Sequence, residues 1–337
     1  MSKFSLDVLN KIVFSHCKST DPDVILGTAF GEDVALTRVG DNLLVSHLDP
    51  IVGAVKKIGW LAVHVACNDI ATSGAPPRWI QLLVLVPGQE DEALLKQIMQ
   101  DVDQAAGEIG VTVIGGHTGY SAGLSRPLVA VTALGTLTDQ APVLTQGAKP
   151  GDHIFVSKGI ALEGTAILAN DFSAAAKNLG LMQMELEEAA ALMDQISVIP
   201  EGVLLAKHGA TAMHDVTRGG ILETLLEIAH LSEVGLRVNK DRMPVPKIVQ
   251  RFVDTFEFDP LKMISSGTLV ATISPRKVDD AMGALMEAGI PFADVGEVVA
   301  GKGVTIIQEG GERHYLEIQP EADELARLWT QYPVDSQ

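Results

Sequence analysis

Residues 58–74 read IGWLAVHVACNDIATSG. Trp60, Leu61, Ala62, Val63, Val65, Ala66, Ile70 and Ala71 make this stretch apolar on nearly every face. A helix of that composition belongs inside a core. Yet Asn68 and Asp69 stand side by side within it. A buried carboxylate costs several kcal/mol unless a cation or strong donor meets it. Upstream, the strand-like LLVSHLD ends in a second acid, Asp49, and GEDVAL holds a third, Asp33. Downstream, TVIGGHTGY has the form of a strand running into a glycine turn. Three acids and a glycine turn, each at the end of an apolar element or interrupting one, can converge on a metal–phosphate site. Mg²⁺ prefers hard oxygen ligands together with phosphates.

Composition bounds the rest. A chain of 337 residues suits two domains better than one, and 47% hydrophobic residues are enough for two cores. The apolar runs are short and broken, so no membrane span is expected. The N-terminal MSKFSLDVLNKIVF lacks a signal-peptide pattern and reads as an amphipathic helix. The chain's two cysteines, Cys17 and Cys67, form no spaced pair, which points to reduced thiols and a cytoplasmic location. A net charge of −18 argues against general nucleic-acid binding, which needs a basic surface. It leaves open local nucleotide binding through backbone N–H groups and a metal.

Taken in order, residues 3–17 predict a helix. VALTRV and LLVSHL predict strands around a Gly40-Asp41-Asn42 hairpin turn. The buried helix follows and is expected to stop at Pro76-Pro77. WIQLLVLVP, VTVIGG and PLVAVTALGTL predict strands, with a helix over 90–109. Adjacent strands in this order suit an α+β domain with an antiparallel or mixed sheet. AKPGDHIFVSKG marks a boundary, giving domains over 1–148 and 149–337. The second predicts three helical segments over 162–208, the strand ATAMHD and the helix ILETLLEIAH. Strands VGLRVN, TLVATI and PFADVGEV, a closing hairpin and a terminal helix complete it. LLVSHL, WIQLLVLVP and PLVAVTALGTL are apolar on both faces, more than a lone sheet leaves open to water, so a homodimer is expected.

Each chemical stretch has a plainer reading. Any one of Asp33, Asp49 and Asp69 alone is best read as a cap, a strand end or an internally paired acid. The three together favour Mg²⁺. Gly115-Gly116-His117-Thr118 reads either as a backbone cradle for an anion or as an ordinary turn. Asp215-Val216-Thr217-Arg218-Gly219-Gly220 sets a strand, a glycine pair and a helix N-terminus in series. That is an anion pocket with Thr217 and Arg218 as added donors, without the spacing of a P-loop. His64 and Cys67 stand three apart, a spacing that can bind zinc, but no second pair accompanies them and core packing is the better reading.

The assembled motifs resemble the superfamily of aminoimidazole ribonucleotide synthetase, selenophosphate synthetase, thiamine monophosphate kinase and the hydrogenase maturation protein HypE. The resemblance is closest to HypE, through CNDIATSGAPPRW, AMHDVTRGGILETLLEIA, DPLKMISSGTLVATI and DVGEVVAGKGVTI. It implies a two-domain α+β and α/β fold. The ATP-binding domain, 1–148, would contribute strands to a barrel at a homodimer interface, followed by a synthetase-like domain over 149–337. It implies ATP and Mg²⁺, with Asp33, Asp49 and Asp69 as metal and phosphate ligands and Asn68 beside the last. Gly115, Gly116, His117 and Thr118 fall at the family's glycine turn. Asp215, Thr217, Arg218, Gly219 and Gly220 fall at its second-domain loop, with Asp69, Asp215 and Arg218 in catalytic roles.

There are departures. HypE carries its reacting group on a C-terminal cysteine, whereas this sequence ends PVDSQ. His117 replaces an acid, and Glu163 stands where HypE tends to have histidine. What carries over is the ATP chemistry, in which an amide or acid oxygen attacks the γ-phosphate and becomes a leaving group. The resemblance thus implies an ATP-hydrolysing, Mg²⁺-dependent HypE-like enzyme, with a carbamoyl-transfer or hydrogenase-maturation protein as partner. The alternatives are a small-molecule kinase resembling thiamine monophosphate kinase and a nucleotide-binding assembly partner without turnover.

Overall fold

The computed structural model describes residues 4, 6–52, 57–88, 91–317 and 323–332. The chain forms two compact units, Met1–Pro142 and Val143–Gln337. No single helix among the described residues is long and apolar enough to cross a membrane. The fold combines two units of mixed helix and sheet, as the sequence motifs implied.

The first unit opens with α1 (Leu6–Val8), which passes into a π-helical stretch, Leu9–Phe14; neither has a buried residue. Among the described residues the helix expected over 3–17 ends at Phe14 and has no buried residue. Next come β1 (Val24–Leu26), β2 (Ala35–Val39) and β3 (Asn42–Val52). Gly40, at φ +61°, turns β2 into β3. Helix α2 (Ile58–Thr72) is buried along all fifteen residues. It ends before Pro76-Pro77, because Gly74 at φ +82° takes the chain out of the helix and the Ser73 hydroxyl donates to Ile70 O at 2.7 Å. β4 (Pro77–Val86), α3 (Glu92–Ile109), β5 (Thr112–Tyr120) and β6 (Leu128–Leu137) complete the unit.

The sheet runs β1-β2-β3-β6-β4-β5, antiparallel except for the parallel pair β4–β5. Alternation sets its faces. Val45 of β3, Val84 of β4 and Val129 and Val131 of β6 are fully buried, on the face where α2 packs. On the other face Leu48 is 62% exposed.

The second unit contains β7 (His153–Ser157), α4 (Leu162–Asp171), α5 (Ser173–Asn178) and α6 (Gln183–Ala190). A 3₁₀ turn over Ala191–Gln195 leads to α7 (Ile199–Lys207). Four helices thus replace the expected three, because Phe172, at φ −126°, separates α4 from α5. β8 (Ala210–Asp215), α8 (Gly220–Leu231) and β9 (Gly235–Asn239) follow. Then come α9 (Lys247–Phe256), β10 (Leu269–Ile273), α10 (Val278–Glu287) and β11 (Phe292–Val299). The hairpin β12 (Gly303–Gln308) and β13 (Gly311–Tyr315) and helix α11 (Glu324–Gln331) close the chain.

Its seven-stranded sheet runs β13-β12-β9-β11-β7-β10-β8, with β9–β12 as its parallel pair. Leu225 and Ile228 of α8 pack on one face with Val238, Val304 and Ile306. Leu205 of α7 and Leu285 of α10 pack with Phe155 and Ala271. A separate helical core joins α4, α9 and α11 through Phe172, Phe252, Phe256, Leu325 and Leu328.

Candidate functional site

In the first unit His47 links two of the acid-bearing segments. On β3, Val45, His47 and Asp49 point to one face by strand alternation, with Val45 fully buried. The His47 ring reaches two other elements. Its Nδ1 bonds the main-chain oxygen of Asp33, just ahead of β2, and its Nε2 lies 3.3 Å from Asp69 Oδ2 on α2. A carbonyl oxygen only accepts, so Nδ1 carries the hydrogen of that bond.

Asp33 and Asp69 are each more than nine-tenths buried, Asn68 is fully buried, and Asp49 is half-buried. The structure therefore brings Asp33 and Asp69 to two sides of one imidazole, with Asp49 two residues along the same strand face. Carboxylates in an apolar surround are hard-oxygen donors of the kind Mg²⁺ takes, and here Asp69 meets the ring through its carboxylate while Asp33 meets it through its main-chain oxygen. In S-H-L-D the two-residue spacing puts His47 and Asp49 on one strand face, but nothing in it points to Asp69.

The neighbouring Cys67 is a packing group. Burial, and then the Asp69 charge, push its thiol up, so it stays protonated. His64 is engaged elsewhere, with Nε2 3.3 Å from Glu108 Oε2 on α3 and its ring 4.0 Å from that of Trp60. Burial lowers the His64 pKa, opposed by Glu108, and the ring stays neutral at pH 7.

The expected glycine turn is not a turn. Gly115, Gly116, His117 and Thr118 lie inside β5, an exposed edge strand. The pairing of β4 with β5 slips between Ile80↔Val113 and Gln81↔Gly115, so Ile114 is the extra residue of a bulge. Gly116 has φ +147°, and a Cβ there would lie 2.0 Å from Leu82 O. The glycine thus lets two strand backbones approach, and the β-favouring residues on either side keep the strand going.

In the second unit the expected series is present: β8 ends at Asp215, a turn spans Thr217–Gly220, and α8 starts at Gly220. Gly219 (φ +85°) and Gly220 (φ +67°) are both left-handed. A Cβ on Gly220 would come within 2.7 Å of Leu261 O and Met263 O. Asp215 is fully buried, its carboxylate 3.7 Å from His214 Nδ1, and neither oxygen has a hydrogen-bond partner among the described residues. His214 Nε2 lies 3.0 Å from Glu227 of α8. Arg218 Nη1 lies 3.3 Å from Asp323 Oδ2.

Glu163, in the first turn of α4, is buried and accepts from Ser266 N at 3.2 Å. Burial raises its pKa. The Ser266 hydrogen bonds and the Arg218 charge work against that rise, and the Asp215 charge adds to it. Asp323 gave no sequence signal, since its partner lies over a hundred positions away in a loop.

Residues 31–137 match the model for the N-terminal domain of AIR synthase related protein, and residues 149–309 match that for its C-terminal domain. Carbamoyl dehydratase HypE of Bradyrhizobium diazoefficiens is 31% identical over 254 residues, covering 72% of this chain and 69% of the relative. The chain belongs to the AIR synthase related protein family. Two solved structures share the family fold at low identity. One is a HypE–HypF complex, with a TM-score of 0.71 at 21% identity, covering 91% of this chain and 98% of the other. The second is HypE in complex with ATP, with a TM-score of 0.70 at 22% identity and coverage of 93% and 95%.

Proposed function

We propose that this chain is a HypE-like, ATP-dependent enzyme that activates an amide or acid oxygen by phosphoryl transfer, in the maturation of a hydrogenase metal centre. The observation that carries the reading is the buried Asp69 carboxylate and the Asp33 main-chain oxygen on the two nitrogens of His47, with Asp49 on the same strand face. An apolar core tolerates such a cluster when its charges are used on a cation. The identity with carbamoyl dehydratases and the HypE–ATP complex support ATP as the nucleotide.

Asp33, Asp49 and Asp69 would hold Mg²⁺, which when bound neutralises phosphate charge and orients the transferring group. His47 holds the Asp33 segment and the Asp69 carboxylate in register, and Asn68 offers an amide beside them. In the second unit, Arg218 and Thr217 supply donors at a helix N-terminus, where developing negative charge is stabilised. Asp215 is a fully buried carboxylate at the end of β8, just ahead of this loop.

The exposed apolar side chains Leu48 and Val52 of β3 and Val113, Ile114 and Tyr120 of β5 support a homodimer closed through this sheet. The HypE–HypF complex supports a maturation protein as a further partner.

The test is phosphate release from ATP, with and without Mg²⁺, and with carbamoyl phosphate plus a carbamoyl-transfer protein. Turnover that requires Mg²⁺ and rises with the partner supports the reading. Turnover stimulated instead by a phosphate-accepting small molecule would transfer the chain to the kinase alternative. ATP binding with no turnover under any condition would make it a nucleotide-binding assembly partner.

A further inference from the structure

The glycine loop of the second unit does not hold its arginine unaided. Arg218 follows β8 and precedes the left-handed pair Gly219-Gly220. Its guanidinium, about one-fifth exposed, is met by Asp323 at 3.3 Å. That carboxylate does two jobs with two oxygens. Oδ1 accepts from Ala326 N at 3.1 Å and caps the N-terminus of α11, while Oδ2 faces Arg218.

The capped helix is itself anchored. Leu325 and Leu328 are buried, Arg327 donates to Glu257 O at 3.0 Å, and Tyr332 meets Phe256 edge-on at 5.3 Å. Asp323 is only 6% exposed, so its charge is poorly screened and its position is fixed by the cap. Glu163 adds a second acidic influence from α4, buried behind Ser266.

We propose that Asp323 is a positioning residue for Arg218, by which docking of the C-terminal helix α11 fixes the guanidinium that stabilises charge in the phosphoryl-transfer step. The proposal rests on the role given above to Arg218. It predicts that the two residues act as one unit, and that a variant which keeps the cap but loses the charge isolates the effect. Asn caps a helix as well as Asp. Asp323→Asn therefore keeps α11 in place and loosens Arg218, and Asp323→Ser is a second cap-competent variant should Asn disturb the fold.

The experiment is a double-mutant cycle on the full chain with Asp323→Asn, Arg218→Ala and both together. It is read as kcat and KM for ATP in the presence of Mg²⁺, as the Kd of ATP by calorimetry where turnover is too slow, and as Tm. Asp323→Asn is expected to lower kcat about tenfold with KM and Tm little changed, because a misplaced group costs mainly in the transition state. In the Arg218→Ala background, Asp323→Asn is expected to change nothing further. An equal loss in both backgrounds, or none in the wild-type background, overturns the proposal and leaves Asp323 as a helix cap. Wild-type activity in Arg218→Ala alone removes the role of Arg218, and the positioning role falls with it.

Discussion

Asp69 shows how much one side chain can reveal when its surroundings are wrong for it. A charge in an apolar helix stands out in sequence, and Asp69 is conspicuous for that reason. His47 is not, because a histidine in a strand is unremarkable until the partner on α2 is known to lie 3.3 Å away. Asp69→Asn is expected to weaken Mg²⁺-dependent ATP binding tenfold or more, at least about 1.4 kcal/mol, while leaving the fold intact by circular dichroism. Calorimetry showing wild-type affinity would make Asp69 a structural acid paired to His47. Glu163 gives a different signature. Its raised pKa means the folded state holds the proton more tightly than the unfolded state. Stability therefore falls as pH rises from the ordinary glutamate value through the folded one. Glu163→Gln cannot ionise and still accepts from Ser266, so it should match the wild type in acid and exceed it at neutral pH. Denaturant melts whose difference does not change with pH would show that Glu163 is not carrying this cost.

The elements differ in how openly their sequences declare them. The hairpin of β2 and β3 and the passage from β8 through the glycine loop into α8 follow from turn chemistry and apolar periodicity within a few residues. Strand β5 did not, since two glycines after a β-favouring run look like a turn unless the neighbouring strand is known. The collision at Leu82 explains why Gly116 is glycine; Gly115, at φ +158°, shares the unfavourable backbone but meets nothing within 4 Å among the described residues. Gly116→Ala should therefore cost about 2–4 kcal/mol, from backbone overlap and an unfavourable φ, and Gly115→Ala less. Equal losses in urea titrations of the two variants would mean that the strand approach is not what selects the residue. The early end of α2 has the same character. Gly74 in the left-handed region acts before the prolines do, and a lone glycine is a weaker mark in sequence than a proline pair.

For the molecule as a whole, the two-domain α+β fold was legible because each half shows its own alternation of strands and helices. The split of the helical layer over residues 162–207 was not, because the break at Phe172 carries no glycine or proline. The exposed apolar residues of β3 and β5 make association the whole-molecule prediction. Light scattering at micromolar concentration should give twice the chain mass, and Leu48→Lys with Ile114→Lys should shift it toward one. A monomer in the wild type would leave that sheet edge without the proposed cover. Helix α2 has one more consequence. With every residue from Ile58 to Thr72 buried, its amides can trade hydrogen for deuterium only when the first unit opens as a body. The α1 segment, with nothing buried, should exchange at once. The helix that carries Asp69 is thus the slowest clock in its unit, and a nucleotide bound through that acid should slow it further, by the factor 1 + [L]/Kd.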